Sequence, residues 1–194
     1  MRNTPKIQCS LDLAREYREE IVHLEQVARL SSMLFHALWK AHRLTETDEE
    51  LLLCGALLHD IGIRVAYAQH HKHSLDLIQK SELIALTDFE KDVVSLLARY
   101  HRKAPPKRKH GRFAALPLNT QEKVKKMAGI LRIADGLDRS HENAVQCIDA
   151  IQKARTFWRI KLQGDGDLHY AAWGGQRKAA LLEESLGVII KIGL

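Results

Sequence analysis

The sequence predicts a mainly α-helical protein, with a helical body of about 140 residues and a small α+β appendage at its C-terminal end. Three observations carry this. Apolar residues recur at helical spacing through most of residues 14–137. Thr-x-x-Glu capping patterns stand at the start of two of those runs. After about His141 the period changes to the alternation typical of strands.

Residues 1–12 are polar and read as a loose terminus. A helical pattern then covers residues 14–41, with His23, Val27, Leu30, Leu34 and Leu38 on one stripe. Thr47 with Glu50 makes a capping box for a second helix through Leu51, Leu52, Gly55, Leu58 and His59, and Gly62 reads as its C-terminal cap. A polar and aromatic loop leads to a short helix over residues 73–80. Thr87 and Glu90 open the next helix, which runs to about His101 and buries Phe89, Val93, Leu97 and Tyr100. Residues 104–118 hold Pro105, Pro106 and Pro117 and form a loop. Asn119 or Thr120 caps a further helix, with Val124, Met127, Leu131, Ala134 and Asp135 on one face. In the tail, residues 157–162 and 168–173 read as two arms of a hairpin around Gly164-Asp165-Gly166. Residues 174–185 read as a helix and 188–192 as a last strand. The division expected is a loose terminus at 1–12, a helical domain at 13–141 and the appendage at 142–194.

Composition narrows the class. The 194 residues are 45% hydrophobic and 28% charged, which suits one soluble globular domain with a small addition. The longest apolar run, Leu51 to Leu58, is too short to span a bilayer, and the start Met1-Arg2-Asn3-Thr4-Pro5 has no apolar leader. No membrane partner is expected. Cys9, Cys54 and Cys147 are too scattered for a disulfide framework or a C-x-x-C metal knuckle, so a reducing cytoplasm is the expected location.

The chemistry lies in the histidines and aspartates. His59-Asp60 ends an apolar helix, where both side chains can aim at one point. His23 and His101 lie on apolar faces, His73 stands four residues before Leu77, and Asp135 follows Leu131 by four. Any one of these histidines alone reads as a hydrogen-bonded core residue, and Asp135 alone could pair with Arg132 or Arg139. Together they place histidines and carboxylates inward, where polar groups are costly unless paired. A shared cation would neutralise the carboxylates and satisfy the imidazoles at once.

His23, His59-Asp60 and Asp135, the last within the run Leu131-Arg-Ile-Ala-Asp-Gly-Leu-Asp-Arg-Ser-His141, resemble the signature of the HD-domain metal-dependent phosphohydrolases. The segments His70-His-Lys-His-Ser74, Arg99-Tyr-His-Arg-Lys103 and Ala134-Asp-Gly-Leu-Asp-Arg-Ser-His141 are most similar to the C-terminal HD region of the exopolyphosphatase/guanosine pentaphosphate phosphatase family. The resemblance runs from about residue 15 through the β-containing tail. It implies an HD-type helical bundle with the metal at its centre. It also implies His23, His59, Asp60 and Asp135 as the core ligands, His73 and His101 as the extra ligands of binuclear members, and Asp60 as the bridge. The actin-like domain that carries the phosphate chemistry of the full-length phosphatases has no counterpart expected in this chain, and no Gly-rich phosphate loop is present. After His101 the sequence reads Arg-Lys-Ala-Pro-Pro106, without the Gly-Tyr-Pro of the cyclic-dinucleotide phosphodiesterases.

Imidazole and carboxylate ligands without thiolates suit one or two ions of Mn, Fe, Co, Ni or Zn in an open, reactive site. The function expected is a metal-dependent phosphohydrolase. A metal-activated hydroxide, with Asp60 at its centre, would attack a phosphate ester or anhydride of a nucleotide or related metabolite. Arg102 and Lys103, next to a proposed ligand, and Arg139, one turn past Asp135, are the candidate phosphate contacts. Asp138 could orient a ligand histidine or simply end a helix in solvent. From Arg102 to Arg112 six Lys/Arg stand without an acid, matching the whole net charge of +6. Such a run reads either as a solvated loop or as steering for an anionic phosphorylated small molecule or polyphosphate. Nucleic acid is disfavoured, because the run lacks interleaved aromatics. Strand edges in the tail could pair a second copy into a homo-oligomer. The competing reading is a non-catalytic regulatory module that binds polyphosphate or a nucleotide. Retention of all six expected ligands favours the enzyme.

Overall fold

A computed structural model describes residues 4–17 and 20–194. The helical body runs α1 (Pro5–Glu16), α2 (Ile21–Ala37), α3 (Trp39–His42), α4 (Glu46–Leu58), a 3-10 turn (Ile61–Arg64), α5 (His70–Lys80), α6 (Asp88–Tyr100), α7 (Gly111–Ala114) and α8 (Leu118–Leu137). The appendage adds β1 (Val145–Ala154), β2 (Phe157–Gly164), α9 (Leu168–Gln176), α10 (Ala180–Leu186) and β3 (Ile189–Gly193). The mainly α expectation with a small α+β tail therefore holds. Among the described residues, no helix is long and apolar enough to cross a membrane.

The centre of the bundle is α4. Every residue from Leu51 to Leu58 is buried, because α1, α2, α6 and α8 pack around it. A helix apolar on all sides has to be enclosed in this way. Its start is fixed by a capping box in which Thr45 accepts from the Asp48 backbone and Asp48 accepts from the Thr45 N–H. The box lies two residues before the expected Thr47 and Glu50. The box of Thr87 and Glu90 on α6 is where the sequence placed it.

Other differences have local causes. Residues expected to be loose form α1, with Thr4 capping Ile7, Pro5 at the first turn, and Ile7, Leu11 and Ala14 buried. The long first helix is interrupted, so α2 begins only at Ile21. Phe89 is exposed, since a side chain in the first turn of α6 lies beyond the core. Helix α8 starts at Leu118, after Pro117, ahead of the caps expected at Asn119 or Thr120.

The tail departs most. The hairpin is β1 with β2, antiparallel, with Ile148 opposite Leu162 and Ala150 opposite Ile160. Residues 168–173, expected as a strand, begin α9, where the Asp167 side chain accepts from Tyr170 N. After α10 the chain returns as β3, parallel to β2, with Trp158 opposite Ile190. Helix α9 packs on α8 where two glycines meet. A Cβ added at Gly136 would lie 2.6 Å from the Gly174 carbonyl oxygen.

This close approach predicts that Gly136→Val lowers unfolding stability by about 1–3 kcal/mol, as overpacking against rigid backbone does. Gly111→Ala, with nothing within 4 Å of its added Cβ, is the control and stays within about 0.5 kcal/mol of wild type. Urea denaturation of the two variants reads the difference.

Candidate metal centre

Five helices deliver imidazoles and carboxylates to the floor of a cavity of about 530 Å³. His59 caps the C-terminus of α4, and Asp60 follows where the chain turns into the 3-10 segment. His101 holds the same capping position on α6. His70 is the first residue of α5, His23 lies in the first turn of α2, and Asp135 lies in the last turn of α8.

Three of the rings share one device. The Nδ1 of His59 lies 2.7 Å from the Ala56 carbonyl, that of His101 2.7 Å from Ala98, and that of His70 3.0 Å from Tyr67. A carbonyl oxygen only accepts, so each Nδ1 carries the proton. A neutral ring held this way leaves its Nε2 lone pair free and aimed. For His59 and His101 the carbonyl belongs to the last helical turn and has no partner within the helix. His23 is set differently, its Nδ1 lying 2.7 Å from Oδ2 of Asp138. Asp138 is 1% exposed, so it orients a histidine and does not end the helix in solvent.

The lone pairs converge. The Nε2 atoms of His70 and His101 lie 3.3 Å apart, and 3.1 and 3.4 Å from Oδ1 of Asp60. That carboxylate oxygen is buried and has no hydrogen-bond partner, and neither has Nε2 of His59. Burial pushes the His101 imidazole down to about 3, so the ring is neutral. Burial also opposes the charge on Asp60, and His59, His70 and His101 around it would hold its carboxyl well below the usual range only while they carry positive charge. Electron-pair donors packed this closely in a buried place repel one another unless a positive charge lies among them.

The donor atoms of His23, His59 and Asp60 lie within 4.8 Å of one another, and so do those of Asp60, His70 and His101. Asp60 belongs to both groups. Nitrogen and carboxylate donors in this arrangement fit a transition-metal cation better than magnesium or calcium. Asp135 stands beside the first group, its Oδ1 3.9 Å from His23 Nε2, and its other oxygen is ion-paired with Lys178. Burial would raise Asp135, but the Lys178 ammonium beside it is the largest influence bringing it down, to about 2.

Of the expected ligands, the structure brings His23, His59, Asp60 and His101 together, with Asp135 adjacent. It does not bring His73. That residue packs against the backbone of Gly62, where an added Cβ would meet His73 Cβ at 2.8 Å. His70, three residues earlier, occupies the place expected for it. Gly62 is therefore a contact site for α5 and does not cap α4.

The cations also separate. Arg102 donates to Nε2 of His70 at 3.0 Å, and Lys103 and Arg139 line the same cavity. Arg139 does not pair with Asp135 or Asp138. Its Nε donates to the Tyr170 hydroxyl at 3.2 Å. Arg132 donates to the carbonyls of Tyr100 and Lys103 and so pins the loop after His101. Further along the basic run, Arg112 pairs with Asp92, and Lys107, Arg108 and Lys109 are exposed. Sequence reasoning missed Tyr67, His70, His141, Tyr170 and Lys178, all of which line the cavity. His141 stacks on His23 with ring centroids 3.9 Å apart.

The family model described as Ppx/GppA phosphatase, domain III, matches residues 7–172. The chain belongs to this family. The match takes in every histidine and carboxylate of the cavity floor, while Lys178 lies beyond it. Two relatives are each named guanosine-5'-triphosphate,3'-diphosphate pyrophosphatase. The one from Pseudoalteromonas atlantica (strain T6c / ATCC BAA-1087) is 28% identical over 79 residues, which are 40% of this chain and 16% of that protein. The one from Pseudoalteromonas translucida (strain TAC 125) is 36% identical over 52 residues, 27% of this chain and 10% of that protein. Each alignment thus covers only a small part of the relative.

In this domain III chain, Asp138→Ala leaves a buried histidine nitrogen without its partner. The expected cost is roughly 1–3 kcal/mol of stability, read by urea unfolding in a chelator. Asp138→Asn keeps an acceptor for His23 Nδ1 and is expected to lose less.

Proposed function

We propose that this protein is a metal-dependent phosphohydrolase of the HD type, acting on a phosphorylated nucleotide or a related anionic metabolite. The observation that carries the reading is the convergence of His70 Nε2, His101 Nε2 and Asp60 Oδ1, where that oxygen and the neighbouring His59 Nε2 are buried without a hydrogen-bond partner. His23, His59 and Asp60 would hold one ion, and Asp60, His70 and His101 a second, with Asp60 as the shared ligand and Asp135 in support. When bound, such ions acidify water and polarise a phosphate oxygen.

The protein's own groups do the rest. The carbonyls of Ala56, Tyr67 and Ala98 and the Asp138 carboxylate fix each ring's tautomer and direction, so little reorganisation is needed on loading. Arg102, Lys103, Arg139 and Lys178 line the cavity with positive charge and would hold the phosphate oxygens over the cluster. Their charge would also offset that building on the phosphoryl group as the bond breaks.

The family supports phosphate chemistry, and the names of the two relatives point to guanosine nucleotides. The alternative of a regulatory module draws on the small share of those relatives that this chain matches. One experiment separates the two. Protein purified without added metal is assayed by mass spectrometry for bound ions, then for hydrolysis of a nucleotide and phosphoester panel after Mn, Fe, Co, Ni or Zn is supplied. The metal-loaded protein is expected to hydrolyse a member of the panel, and Asp60→Ala to lose metal together with about a thousandfold in rate. Binding of phosphate compounds with no turnover under any metal would establish the regulatory module instead.

The ligand assignment has its own test. His70→Ala is expected to lower the metal content of the purified protein, whereas His73→Ala leaves it unchanged. The opposite result would restore the ligand expected from the sequence.

A further inference from the structure

Beside the cation-lined cavity the appendage presents an aromatic surface that the metal cluster does not explain. Tyr170 and Trp173 sit one turn apart on α9, their rings 5.4 Å apart and within 25° of parallel. They are 39% and 45% exposed. Two guanidinium groups flank Trp173, Arg177 at 4.8 Å and Arg139 at 5.9 Å from the ring centre. Arg139 also donates to the Tyr170 hydroxyl, which fixes one ring relative to the other. Tyr170 and Arg139 line the same cavity as His23, Asp60 and His101. A third aromatic ring, Tyr67, lines that cavity as well and is 73% exposed.

We propose that Tyr170 and Trp173 are a stacking platform for the base of a nucleotide whose phosphates lie over the metal cluster. The inference rests on the phosphohydrolase reading and adds the substrate class, favouring a nucleotide over inorganic polyphosphate. Holding flat rings in water has no structural return here, since neither side chain belongs to the core. The two rings already cover one face of each other, and a base would stack on the outer face of the pair. The neighbouring arginines add cation–π attraction and keep the rings in place. Polyphosphate has no such face, so the same four cations would hold it without help from α9. The continuity of the rings with the positive cavity selects this occupant: a nucleotide carries its anion and its aromatic ring on one small molecule.

The test compares guanosine 5'-triphosphate with inorganic tripolyphosphate, which both carry three linked phosphates, by equilibrium binding in a chelator so that nothing is hydrolysed. The full chain is expected to bind the nucleotide about tenfold more tightly, within the range of one stacked base. Trp173→Leu is expected to bring the two ligands level while leaving tripolyphosphate binding unchanged, Tyr170→Leu to remove the preference as well, and Tyr170→Phe to keep it. Both leucine variants alter exposed positions, and circular dichroism confirms their folding. Equal binding of the two ligands by the wild type, or a preference untouched in both leucine variants, would overturn the platform. Hydrolysis is scored apart, on the metal-loaded protein. A base preference without turnover removes the activity and leaves the platform, and turnover without a preference does the reverse.

Discussion

The centre of this structure is a set of imidazole nitrogens held where their lone pairs would otherwise repel. His59, His70 and His101 each give the Nδ1 proton to a backbone carbonyl three residues back, so each must turn its Nε2 lone pair the other way. All three nitrogens face Asp60. A core built only for stability would fill this place with apolar groups, since unpaired buried charge is costly. The bundle instead spends the enclosing power of five helices on it. The shape of α4, buried on all sides and ending at His59, follows from the need to carry that end to the middle of the protein.

Helix ends make the arrangement economical. The last carbonyls of a helix have no partners within it. Placing histidine at the C-cap of α4 and of α6 satisfies one of those carbonyls and aims the ring in the same step. The C-terminus of α8 contributes Asp135 and the capping Asp138. Three helices thus converge by their carbonyl ends, which carry partial negative charge and favour a cation. The fold and the site are therefore one design. Loosening the end of α4 or α6 would misplace an imidazole of the cluster and expose a buried carbonyl together.

The sequence exposed those parts of the site that sit on strong periodic patterns. His23, His101 and Asp135 each fall on an apolar stripe, and His59-Asp60 ends an apolar run, so burial and direction could be read from spacing. His70 could not. Helix α5 begins after Gln69, which adopts a left-handed backbone and offers no side-chain cap, so no residue type marks the start. In the run His70-His71-Lys72-His73 the spacing to Leu77 favoured His73. The deciding fact is the close approach of α5 to Gly62, a contact between segments that spacing does not encode. The same limit explains α9. Residues 168–173 alternate like a strand, yet the Asp167 cap and the Gly136–Gly174 contact make them a helix. Lys178 carries no local signal, because its meaning comes only from the docking of the appendage beside Asp135.

That docking also changes the sense of the positive charge. Read along the chain, the charge is a run from Arg102 to Arg112. In the structure only Arg102 and Lys103 from that run line the cavity, and Arg139 and Lys178 come from elsewhere. The wall is therefore assembled from the helical body and the appendage together, over a floor that holds Asp60 and Asp135. Cations on the floor would compete with a metal ion for the carboxylates, as Lys178 does in part with one oxygen of Asp135. Among the described residues, Lys103 and Arg139 have no such contact with the floor, and Arg102 reaches only His70, so Asp60 keeps its oxygen Oδ1 unpartnered beneath them. Keeping the two signs largely apart by depth would let one small cavity attract a divalent cation and a phosphate without either excluding the other. The appendage is thus part of the cavity, because without it the cavity would lose Lys178 and Tyr170.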